Sequence, residues 1–65
     1  MKYKVYHYER YLTEVKIHEY NSINEICNRY TTFCDLIKNM LENVNPGENV
    51  EFPYNSYITL KIEVY

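Results

Sequence analysis

Two histidines, two cysteines and nine tyrosines carry most of the chemistry this 65-residue chain could offer. A metal site needs three or four His, Cys, Asp or Glu side chains converging on one point. His7 and His18 are expected on opposite faces of two strands, and Cys27 and Cys34 on a helix, so no such set assembles. The two cysteines stand seven positions apart. On one helix that separates them by about 10.5 Å along the axis, beyond the roughly 7 Å between Cα atoms that a disulfide tolerates. They are expected as small buried side chains in a reducing compartment. Glu9 and Glu14 are expected as solvated edge charges rather than an acid/base pair. There is no Ser/His/Asp grouping, and the lone Gly47 excludes a glycine-rich phosphate loop. The residue pattern therefore predicts no enzyme, no metal and no cofactor.

Surface-forming residues are more informative. Lys2–Tyr8 alternates, with Tyr3, Val5 and His7 on one side and Lys2, Lys4, Tyr6 and Tyr8 on the other. Thr13, Val15 and Ile17 share a face in a second run. A hairpin of Tyr3–Tyr8 with Tyr11–Glu19, turning at Glu9-Arg10, is expected to bring Val5, Val15 and Ile17 together on the inner side. One bent strand through Glu19 is the alternative. Val50 and Phe52 suggest a short strand that Pro53 confines to a sheet edge or ends. Tyr57–Val64 is the clearest strand: Ile58, Leu60, Ile62 and Val64 face the core, and Tyr57, Thr59, Lys61, Glu63 and Tyr65 face away.

Between these runs, Ser22–Val44 is the organising stretch. Ile23, Ile26, Cys27, Tyr30, Cys34, Ile37, Leu41 and Val44 recur at helical spacing. Ser22-Ile23-Asn24-Glu25 matches a capping box that starts a helix, and Asn45-Pro46-Gly47 stops it. Thr32-Phe33-Cys34-Asp35 fits the capping pattern too, so a break near Thr31 is the alternative to one long helix. The fold class expected is α+β, with one long helix packed on one face of a small, mostly antiparallel sheet in the order β-β-α-β-β. The last strand could pair parallel to the second. Such a chain is long enough for one domain only, and it buries just about 60% of its unfolded surface.

A single helix covers one sheet face and leaves the other bare. Lys4, Tyr6, Tyr8, Tyr57, Lys61 and Tyr65 are the candidate partner-binding residues on that bare face, because tyrosine gives a large contact area at low entropic cost. The same aromatic and lysine set could stack nucleic-acid bases. That reading is secondary, since the net charge is −2 and the glycine-rich signature of RNA-recognition domains is missing. The helix also has an apolar arc of about 180°, where a surface helix needs about 100°. Phe33, Leu36 and Met40 on its flank are the candidate oligomer contact, unless Val50, Phe52 or Tyr54 folds over them.

No run approaches the roughly 20 apolar residues of a membrane span, and no signal peptide is visible. Phe, Tyr, Met, Ile, Asn and Lys supply about half the chain, while Gly, Ala, Arg and Pro are scarce. That usage follows AT-rich codons, such as those of low-GC bacteria, their phages and some archaeal viruses. The chain resembles in kind, though not by any motif, the small proteins that phages and mobile elements use against host or defence machinery, of which anti-CRISPR proteins are one class. The resemblance implies a cytoplasmic inhibitor, in a bacterial or archaeal cell, that blocks another protein sterically. A homodimer or structural homo-oligomer is a further expectation.

Overall fold

Period-two alternation yields four strands: β1 (Tyr3–Glu9), β2 (Val15–Tyr20), β3 (Asn49–Pro53) and β4 (Ile58–Val64). They are seen in a computed structural model that describes all residues from Met1 to Tyr65. Between β2 and β3 lie two short helices, α1 (Ile23–Arg29) and α2 (Cys34–Leu41), joined by a 3₁₀ turn at Thr31–Phe33. The sheet order is β2-β1-β4-β3 and every pairing is antiparallel. The last strand thus pairs with β1 and β3, and no parallel pair with β2 forms.

The expected single long helix is replaced by two. Tyr30 leaves helical geometry at φ −121°, ψ 61°. The two β-branched threonines and Phe33 that follow are weak helix formers, so little resists the break. The gain is in packing. An apolar arc too wide for one straight cylinder is divided between two helices of different direction, with Ile26 and Cys27 buried from α1, Ile37 and Leu41 from α2, and Tyr30 buried at the joint. Phe33 then turns onto Phe52 and Tyr54, with ring centroids 5.9 and 5.0 Å away. The start of α1 is capped as expected by Ser22, whose Oγ accepts from the Glu25 amide at 3.2 Å. The Glu25 carboxylate reaches one residue further back than a capping box requires and accepts from the Asn21 amide at 2.7 Å. α2 stops at Leu41, before the Asn45-Pro46-Gly47 turn, where Gly47 takes the left-handed φ of 94° that suits glycine.

Under the helices lie Tyr3 and Val5 of β1, Phe52 of β3, and Leu60, Ile62 and Val64 of β4, all buried. Of β2, only Tyr20 at its end packs against them. The strand's register pairs Tyr8 with Val15, Tyr6 with Ile17 and Val5 with His18. Directly paired residues share a face, so Val15 and Ile17 lie on the bare face beside the tyrosines, and Val5 has His18 and not Ile17 as its neighbour. The expected grouping of Val5, Val15 and Ile17 is overturned. The cause is the connection: the Glu9–Leu12 turn, closed by Leu12 N–H donating to Glu9 O at 3.1 Å, is followed by two more residues before β2 begins. A one-residue change in register transfers every side chain of a strand to its other face.

Candidate interaction face

The bare face of the sheet is ordered in cross-strand rows. One row reads Ile17, Tyr6, Lys61, Glu51; the next reads Val15, Tyr8, Thr59, Pro53; the third reads Glu19, Lys4, Glu63, Asn49. The β1 and β2 ends of the first two rows are thus apolar or aromatic, and the charges lie in the third row and in the Lys61–Glu51 pair. Five of the six residues expected to bind a partner lie together here: Lys4, Tyr6, Tyr8 and Lys61 within the rows, and Tyr65 just beyond the end of β4. Tyr57 sits at the opposite end, next to Thr59 in the lining of a shallow cleft of about 360 Å³ that Tyr8, Glu9, Arg10 and Ser56 complete.

The rings on this face pack against one another and under neighbouring cations. Tyr6 and Tyr8 stack at 6.4 Å with 16° between planes, as residues i and i+2 of one strand can. Lys61 Nζ stands 5.1 Å over Tyr6, and Lys4 Nζ stands 5.3 Å over Tyr65. Tyr11 packs against Tyr57 at 5.9 Å, and the Arg10 guanidinium lies 5.7 Å over Tyr11. Slight burial, and then hydrogen bonding to Glu19, raise the Tyr65 hydroxyl above the ordinary tyrosine pKa. Both lysines are therefore spread over tyrosine rings. With Lys2 opposite Tyr65, and Glu19, Glu51 and Glu63 also on the face, carboxylates and lysines balance there.

Sequence reasoning missed Val15, Ile17, Tyr11 and Leu12. Val15 and Ile17, exposed at 40% and 52%, are apolar contributors to the face itself, and Tyr11, exposed at 76%, packs on Tyr57 at its end, while Leu12 is exposed in the connection. Tyr11 and Leu12 were expected in the second strand and lie instead in the connection before β2. Val15 and Ile17 were not legible on this face, because only the register assigns them to it.

The helix flank is less free than expected. Phe33 and Met40 are half-buried and pack against the core, and the partners of Phe33 are the Phe52 and Tyr54 named as possible covers. Leu36 alone is open, at 41%.

The other chemistry-bearing residues also shift. His18 shares the helix-side face with His7 instead of opposing it, because it pairs with Val5. His7 Nε2 lies 3.3 Å from Glu9 Oε1 but outside good hydrogen-bond geometry. No group of three or more His, Cys, Asp or Glu is placed to hold a metal ion. The helix break brings the cysteines far closer than a continuous helix allows: Cys27 Sγ is 3.6 Å from the Cys34 carbonyl oxygen. Both thiols are free. Burial first, then the Cys34 side chain beside it, raises the Cys27 thiol from 9.0 to about 11.

No helix is long and apolar enough to cross a membrane. No family model, curated protein or solved structure matches this chain.

Proposed function

We propose that this protein is a non-enzymatic binding module whose bare sheet face docks on another protein and occupies a surface that the target needs. The supporting observation is the Tyr6/Tyr8/Val15/Ile17 patch with Tyr11 and Tyr57 at its end. It joins the exposed side chains of Val15, Ile17, Tyr11 and Tyr57 to the half-buried rings of Tyr6 and Tyr8, which already stack on each other and so lose less side-chain entropy on docking. Exposed patches of this composition mark protein contact sites. Steric blocking of a host or defence protein, in the manner of the small inhibitors of phages and mobile elements, is the use that fits a chain with surface to spare and no catalytic grouping.

The test is capture of a target from the source cell's lysate by wild type and by three variants. Tyr6→Ser and Tyr57→Ser are expected to reduce capture about tenfold or more, on the scale of interface hot spots. Leu36→Glu, on the helix side, is expected to leave it unchanged. Loss on Leu36→Glu with retention in the tyrosine variants would move the site to the helices. Salt separates the nucleic-acid reading: single-stranded DNA or RNA binding falls steeply between about 50 and 200 mM salt, whereas a tyrosine-centred protein contact changes little.

A further inference from the structure

The sheet has two edges, and they are not equivalent. On either side of β1, Lys2 exchanges both backbone hydrogen bonds with Tyr65, and the Arg10 N–H donates to Tyr57 O at 2.7 Å. Antiparallel ladders alternate, so the even residues of β1 bond to β4 and the odd ones to β2. Lys16, His18 and Tyr20, which pair with His7, Val5 and Tyr3, therefore spend their backbone groups inward. The N–H and C=O groups of Val15, Ile17 and Glu19 point out of the sheet, unpaired. The same counting on β3 leaves Asn49, Glu51 and Pro53 outward. Pro53 has no N–H to offer, a standard guard of an exposed edge, whereas the single outward carboxylates, Glu51 on β3 and Glu19 on β2, do not distinguish the two. β2 has no proline, and two of its three outward positions are apolar. Val15 to Glu19 are all exposed, so helices and neighbouring strands cover this strand less than any other.

We infer that β2 is a pairing edge and that its occupant is a second copy of this chain, joined antiparallel about a two-fold axis at Ile17. The two-fold places Ile17 against Ile17 and Val15 against Glu19 of the other copy. On the helix side it places Lys16 against His18, so no two carboxylates and no two lysines oppose each other. Centring the axis on Lys16 instead sets lysine against lysine, and centring it on Val15 runs the pairing into the turn residues before β2. Because the β3 edge is guarded, the contact is isologous and closes at two copies rather than propagating as a fibre. The product is one eight-stranded sheet in the order β3-β4-β1-β2-β2-β1-β4-β3. Across its middle runs an unbroken row of Lys61, Tyr6, Ile17, then Ile17, Tyr6 and Lys61 of the second copy. The bare face is doubled and stays open, so the dimer neither requires nor excludes the function proposed above.

Sedimentation or light scattering of the wild-type chain is expected to give twice the 8.0 kDa of one copy. Ile17→Lys and Ile17→Glu are each expected to give a single-chain mass with unchanged circular dichroism, since the side chain lies at the surface. Mixing the two variants in equal amounts restores the doubled mass, a result specific to a register that opposes position 17 to itself. Should either variant fail to fold, Ile17→Cys decides: oxidised glutathione cross-links it across the two-fold, whereas Glu19→Cys, opposite Val15, stays uncross-linked. A wild-type mass of one chain across the concentration range, a dimer that survives Ile17→Lys, or equal cross-linking at positions 17 and 19 overturns the proposal.

Discussion

Cys27 shows how much one side chain's surroundings depend on a neighbouring break. Its thiol is buried against Cys34, and its pKa rises from 9.0 to about 11. The unfolded chain, with an ordinary thiol, loses its proton first as pH rises. The folded form is therefore fully favoured below about pH 9, and stability falls as pH climbs through about 11. Tyr30, raised mainly by its own burial, tilts the curve the same way. Urea midpoints are expected to drop between about pH 9 and pH 11, and Cys27→Ala is expected to flatten that drop while lowering the whole curve. Alkylation provides a second reading of the same site: at about pH 8, iodoacetamide should modify the half-buried Cys34 before the buried Cys27, whose thiol is covered and slow to form the reactive thiolate. Equal rates would show that the thiol is not sequestered. Neither behaviour follows from cysteine spacing alone, since seven residues on an unbroken helix keep the thiols apart.

Among the elements, α1, α2 and β2 differ in what holds them. α1 has only seven residues, too few for a helix to persist in water without tertiary support. Its cap is local and its anchor is Ile26 in the core. Ser22→Ala is expected to cost about 1 kcal/mol in denaturant unfolding, and Ile37→Ala in α2 about 2–5 kcal/mol. β2 should behave in the opposite way. At concentrations low enough for single chains, Ile17→Ala is expected to change stability by no more than about 0.5 kcal/mol, as surface substitutions do, whereas Ile62→Ala in β4 should cost about 2–5 kcal/mol. A large loss from Ile17→Ala under those conditions would mean that β2 packs inward. The start of α1, the positive-φ turn at Gly47 and the edge placement of the Pro53 strand were all legible, because each depends on residues within a few positions of one another. The break at Tyr30 was legible only as an alternative, because the apolar spacing runs on through it.

For the whole molecule, one layer of helices covers β1, β4 and β3 and, apart from Tyr20, leaves β2 and an entire sheet face uncovered. That asymmetry gives the protein its two candidate contacts: the tyrosine face and the β2 edge. Tyr57→Ser separates them, since it should weaken target capture without changing mass, whereas Ile17 belongs to both contacts.

Composition and alternation were enough to give the α+β class, the four strands, the core stripe of Ile58, Leu60, Ile62 and Val64, and the clustering of Lys4, Tyr6, Tyr8, Lys61 and Tyr65 on one bare face. These are properties of period and of near neighbours in the chain. Strand order, the inverted face of β2 and the closeness of Cys27 to Cys34 came only with tertiary structure. Each depends on a count of connecting residues, or on a bend, that brings distant segments together. A strand with Val15 and Ile17 on one side and Lys16 and His18 on the other announces which residues share a face. Only the turn before it, and the helices that stop short of covering it, decide which face meets water.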